Sequence, residues 1–107
     1  MSDSTQLDRL FHALSDPTRR AFVERLTRGP ASVKELARPH SMALPSVLKH
    51  LHVLESGGIV ASRKAGRVRT FQIDPVALSR VEQWVAERKK AWNGRFDRLE
   101  HFLQGKS

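Results

Sequence analysis

Leu44-Pro45-Ser46-Val47-Leu48-Lys49-His50-Leu51-His52-Val53-Leu54-Glu55-Ser56-Gly57-Gly58 is the stretch on which the fold turns. Val47, Leu51 and Leu54 stand at i, i+4 and i+7, which puts three apolar side chains on one helical face, and Gly57-Gly58 supplies the stop. The spacing predicts a helix over 44–56 that is buried along one side. Just upstream, Ser32-Val33-Lys34-Glu35 fits a capping box, in which serine and glutamate satisfy each other's backbone amides, so a short helix is expected from Val33 to about Pro39. The turn His40-Ser41-Met42-Ala43 joins the two.

Working outward, Asp16 can accept hydrogen bonds from the free amides of a helix that starts at Pro17. Ala21, Phe22, Val23 and Leu26 form its buried side, and Arg28-Gly29-Pro30 ends it. Before it, Leu7, Leu10, Phe11 and Leu14 mark an amphipathic first helix that stops at Ser15-Asp16-Pro17. Downstream, the runs Ile59–Lys64 and Val68–Ile73 flank Ala65-Gly66-Arg67 and read as a β-hairpin. Asp74-Pro75 repeats the cap-plus-proline start, and Leu78, Val81, Val85, Trp92, Phe96, Leu99 and Leu103 run along a long last helix. The expected fold is mainly α with a small β-hairpin, in the order α-α-α-α-β-β-α, and that order describes a winged helix-turn-helix.

Composition narrows the partners. A chain of 107 residues, 39% hydrophobic, can build one compact core, and its 19 basic against 11 acidic residues leave a formal charge of +8. Between Arg38 and Ile73, six basic residues stand against Glu55 alone, so most of the excess lies in one third of the chain. Such a concentration suits a polyanion, because binding releases the condensed counterions. With no cysteine, disulfides, thiolate metal sites and cysteine catalysis are excluded. The start, Met-Ser-Asp-Ser-Thr-Gln, has no secretory pattern and no stretch reaches 18 apolar residues, so a cytoplasmic protein without a membrane partner is expected. No nucleophile and base pairing, glycine-rich phosphate loop or carboxylate pair suggests an enzyme.

In a winged helix-turn-helix, the second helix of the pair lies in the DNA major groove with its N-terminal residues toward base edges. With Val47, Leu51 and Leu54 inward, Pro45, Ser46, Leu48, Lys49 and His52 are the candidate DNA contacts on that helix. Lys49 can meet guanine or phosphate, Ser46 either of these, and Leu48 a thymine methyl. His50, beside the apolar stripe, reads as a packed, hydrogen-bonded side chain. Arg63, Lys64, Arg67 and Arg69 cluster around Gly66 and repel one another unless solvent or a polyanion relieves them. Arg67 at the tip suits a narrow minor groove.

The apolar residues from Leu78 to Leu103 are spaced 3, 4, 7, 4, 3 and 4 apart, a repeat near 3.5 that fits packing against another long helix. Trp84 and Phe102 widen that surface. A two-fold homodimer through the first and last helices is expected, its interface formed by Leu7, Leu10, Phe11 and Leu14 with Val81, Val85, Trp92, Phe96 and Leu99. A single domain over 1–107 follows, with a DNA-binding core at 7–75 and a C-terminal dimerisation helix at 75–104.

Three segments together resemble the ArsR-type repressors: Ala13-Leu14-Ser15-Asp16-Pro17-Thr18-Arg19-Arg20, Ser32-Val33-Lys34-Glu35-Leu36-Ala37, and Pro45 through Glu55. Gly57-Gly58-Ile59-Val60 followed by Arg63-Lys64-Ala65-Gly66-Arg67 is similar to their junction between helix and wing, which extends the likeness over residues 7–75. The resemblance implies a homodimeric winged helix regulator, commonly a repressor of an inverted-repeat operator that leaves DNA when an inducer binds. Many relatives sense metals through cysteines near the recognition helix or through paired Asp/His and His/Glu ligands on the last helix, and this chain lacks both patterns. No cofactor and no metal are expected. Leu48 stands where the family usually has a serine facing DNA, and Ala43 is a poorer helix cap than the family's serine or threonine. Two alternatives stay open: a metal-responsive repressor drawing on His12, His40, His50, His52 and His101, and a sequence-indifferent nucleic-acid-binding protein.

Overall fold

The computed structural model describes residues 3–105. Along the chain run α1 (Asp3–Leu14), α2 (Pro17–Leu26), β1 (Ala31–Ser32), α3 (Val33–Ala37), α4 (Leu44–Ser56), β2 (Val60–Ala65), β3 (Val68–Ile73) and α5 (Pro75–Gln104). This is the winged helix-turn-helix that the element order predicts, with one addition. Strand β1 pairs antiparallel with β3, Ala31 opposite Phe71 and Ser32 opposite Thr70, so the hairpin becomes a three-stranded sheet in the order β1-β3-β2. Two residues carry no detectable period, which is why the sequence did not betray this strand.

The helix starts follow their caps. The Asp16 carboxylate accepts from the Arg19 backbone N–H at 3.0 Å, with Pro17 in the first helical turn. At α3 the box is closed: the Glu35 N–H donates to the Ser32 hydroxyl at 3.2 Å, and the Ser32 N–H donates to the Glu35 carboxylate at 3.0 Å. The helix ends at Ala37 rather than near Pro39, because Pro39 has no N–H with which to extend the ladder. The Arg19 backbone N–H holds the Asp16 carboxyl below its ordinary range, helped by the charges of His50 and Arg19. The Ser32 N–H and hydroxyl do the same for Glu35, with Arg25 and Arg38 adding to it. Ala43, by contrast, gives α4 no side-chain cap.

Leu10 and Ala13 of α1, Phe22 and Leu26 of α2, Leu36 of α3, and Val47, Leu51 and Leu54 of α4 meet Ile59, Val60 and Phe71 in one core. Beside it sits Arg19, only 8% exposed. Its Nε donates to the Ala13 carbonyl at 2.8 Å and its Nη2 to the His12 carbonyl at 3.0 Å, so a cation closes the C-terminal end of α1.

α5 is anchored only at its start. Ala77 is buried and Val81 packs against the core. Phe11 and Trp84 meet edge to face with centroids 5.3 Å apart, and Arg80 donates to Gln6. Arg88 lies 4.9 Å over the Trp84 ring. With 30 residues the helix is about 45 Å long. The chain therefore measures 71 Å along its longest axis, with a radius of gyration of 19.1 Å, against about 13 Å for a compact chain of this length.

Candidate nucleic-acid interface

One side of α4 is spent on the core, and the other is open. Pro45, Ser46, Leu48, Lys49 and His52 are all exposed, so the five candidate contacts named from the sequence share the outer surface of one helix. His50 lies elsewhere. Its ring stands 6.5 Å from Phe22, edge to face, and its Nδ1 is 3.3 Å from Arg19 Nη1 and 3.7 Å from the Asp16 carboxylate. It therefore ties α4 to α2 and to the end of α1, which fits the packed role read from the sequence.

The wing stands beside α4. The strand register leaves a two-residue loop, Gly66-Arg67, between Ala65 and Val68. The left-handed φ of +63° at Gly66, with none at Arg67, is the pattern of a type II′ turn, whose twist matches that of the flanking strands. Lys64 lies directly opposite Arg69, a like-charge pairing that works against the hairpin. Relief comes partly from α4: the Arg69 guanidinium donates to the Ser62 hydroxyl at 2.8 Å, and that hydroxyl donates to the Glu55 carboxylate at 2.6 Å. Arg69 is thus engaged within the chain. Lys49, Arg63, Lys64 and Arg67 are exposed and have no acidic or hydrogen-bonding partner for their side chains among the described residues. These unneutralised cations, on a helix and an adjoining ribbon, can bind a polyanion.

The candidate dimer residues divide. Leu10 is buried in the chain's own core, and Leu7, Leu14 and Val81 pack against that core. Phe11 is partly covered by Trp84. Val85, Trp92, Phe96 and Leu99 are exposed on α5, Trp92 at 64%. Beyond Trp84 every described residue of α5 is exposed except the half-covered Gly94.

The histidines are scattered. His40 packs edge to face on Phe22 at 5.0 Å, while His12 and His52 line a groove between α1 and α4. Among the described residues no three His, Asp or Glu side chains converge as a metal site would need.

The sequence reading passed over three residues of this surface. Leu44 is 55% exposed one turn before Leu48, a spacing that was available in the sequence. Ser62 and Glu55 hold the wing against α4 across seven residues, and only the turn of the chain from α4 into β2 brings them together.

Comparison with known proteins agrees with this geometry. A helix-turn-helix domain family matches residues 14–63. The chain is 47% identical over 79 residues to the HTH-type transcriptional regulator Rv2034 of Mycobacterium tuberculosis, covering 74% of each chain. It is 50% identical to a crystal structure of an ArsR family transcriptional regulator, RHA00566, with a TM-score of 0.81 over 86% of this chain and 95% of that one. A homodimeric winged helix-turn-helix DNA-binding domain from Mycobacterium bovis, a possible ArsR-family regulator solved by NMR, is 26% identical with a TM-score of 0.65, over 85% and 91% of the two chains.

Proposed function

The chain belongs to the ArsR family of winged helix-turn-helix transcriptional regulators, and from that premise we propose that it acts as a homodimeric repressor of an inverted-repeat operator. In this reading residues 7–75 are the DNA-binding core and 75–104 the dimerisation helix of one domain. Each protomer sets the N-terminal end of α4 into the major groove and its wing along the adjacent backbone. Pro45, Ser46, Leu48, Lys49 and His52 face base edges and phosphates. Arg63, Lys64 and Arg67 meet the backbone, with Arg67 toward the minor groove, and Arg69 reaches it with the guanidinium hydrogens that Ser62 leaves unused. Repression follows from occupancy, since a dimer astride two successive groove turns excludes other proteins from the same DNA.

The observation that carries the reading is the set of exposed cations Lys49, Arg63, Lys64 and Arg67 on two adjoining elements, which have no acidic partner among the described residues. Support for the dimer comes from Val85, Trp92, Phe96 and Leu99 along α5, which are exposed in the single chain, and from the homodimeric state of the Mycobacterium bovis relative. Phe11, Val85, Trp92, Phe96 and Leu99 form the accessible part of that interface. Leu7, Leu10, Leu14 and Val81 support it from behind.

Fluorescence anisotropy against a duplex from the chain's own promoter, titrated at several salt concentrations, tests the reading. About four phosphate contacts per protomer predict a slope of log affinity against log salt near −7. A flat dependence would refute the electrostatic assignment.

A further inference from the structure

The geometry points to Leu44 and Leu48 as a binding subsite for the 5-methyl groups of thymine, which rests on the operator-binding reading above and specifies part of what the operator contains. Leu44 is 55% exposed and Leu48 46%, whereas Val47, Leu51 and Leu54 of the same helix are buried. The two leucines are one turn apart, so their side chains form a short aliphatic ridge at the N-terminal end of α4. That is the end from which a recognition helix reaches base edges.

The direction of the ridge follows from a third residue. Glu55, seven positions after Leu48, is two turns further along the same side of the helix, and its carboxylate accepts from Ser62 on β2. The leucine row therefore looks toward the wing rather than toward α1 and α2. Lys49, next to Leu48 in the same helix, and Lys64 and Arg67 on the ribbon are exposed and have no acidic partner among the described residues.

An apolar ridge alone would suit many surfaces. On a helix that also carries the unpaired Lys49, beside a cationic ribbon, it selects a polyanion that carries aliphatic groups, and the only aliphatic group on base edges in the major groove is the thymine C5-methyl. Leucine has no donor or acceptor, so it cannot read a base by hydrogen bonding. What it can distinguish is a methyl group that it desolvates from a position where none exists.

The test removes the methyl and nothing else. Purified full-length protein selects a consensus from a random duplex library, and each thymine of that consensus is then replaced in turn by deoxyuridine. The expected result is one or two positions per half-site at which uracil weakens binding about fourfold, the worth of one buried methylene. Leu44→Ala and Leu48→Ala should each bind the thymine duplex more weakly and each lose the uracil penalty at one position. Thermal melts of both variants by circular dichroism should match the parent, since neither side chain is in the core. If uracil is tolerated everywhere while the consensus is still bound, the subsite is wrong and the operator reading stands. A uracil penalty that persists in both variants also overturns it, by placing the methyl effect in DNA shape or on other residues. A library that yields no consensus sinks the sequence-specific reading, and the subsite with it.

Discussion

Arg19 carries more of the architecture than its residue type suggests. Its guanidinium satisfies the last carbonyls of α1 and leans on His50 of α4. Arg19→Met would keep much of the packing but leave the His12 and Ala13 carbonyls without these donors. The expected loss is about 2–3 kcal/mol of folding stability in urea denaturation, with two-state behaviour retained. Arg19→Lys should recover only part, because an ammonium cannot match the planar fork. On the open surface the expected effects are of another kind. Lys49→Ala should weaken promoter binding and blur sequence preference. Arg67→Ala should weaken promoter and random duplex alike and flatten the salt slope by about 1.8, two phosphate contacts in a dimer. Parallel anisotropy titrations on both duplexes distinguish the two. Sequence alone named Lys49 and Arg67, since exposure on a cationic element needs only pattern. It could not show what Arg19 does, because Arg19 and His50 are 31 positions apart and only the tertiary fold joins them.

The elements were legible where their ends carry chemistry. Asp16-Pro17, Ser32 with Glu35, and Asp74-Pro75 each begin a helix as expected, and the apolar periods of α2 and α4 name their buried sides, whereas that of α5 stays largely exposed in the single chain. What escaped was short or shared between elements: the two residues of β1, the early end of α3, and the tie from Glu55 through Ser62 to Arg69. The caps also make the fold sensitive to acid. Asp16 and Glu35 titrate below their ordinary range when folded, so the unfolded chain takes up protons first. Their contribution is fully present above the ordinary carboxylate pKa, near pH 4, and is lost as pH falls through the lowered folded values. Thermal melts from pH 6 to pH 3 should therefore show the melting temperature dropping most steeply below about pH 4. Asp16→Ala should cost about 1 kcal/mol at neutral pH, and that difference from the parent should shrink on acidification.

At the scale of the molecule, the chain is a compact head on a long helical stalk. The 3.5-residue repeat of α5 was plain in the sequence. How much of α1 the head would use for itself was not, because Leu10 and Phe11 are adjacent and only packing assigns one to the core and the other to Trp84. Trp92→Ala removes a large side chain from the exposed apolar row of α5, so light scattering at low micromolar concentration should show a smaller average mass than the parent, with the melt of the head little changed. An unchanged mass would move the interface elsewhere. The sheet order β1-β3-β2 has a consequence of its own. Its two open margins are a strand of only two residues and a strand bearing Arg63 and Lys64. Unpaired strand margins invite foreign strands to add on, and brevity and charge are the two ways to deter them. The basic ribbon thus serves as its own guard against fibril-like stacking whenever no nucleic acid covers it.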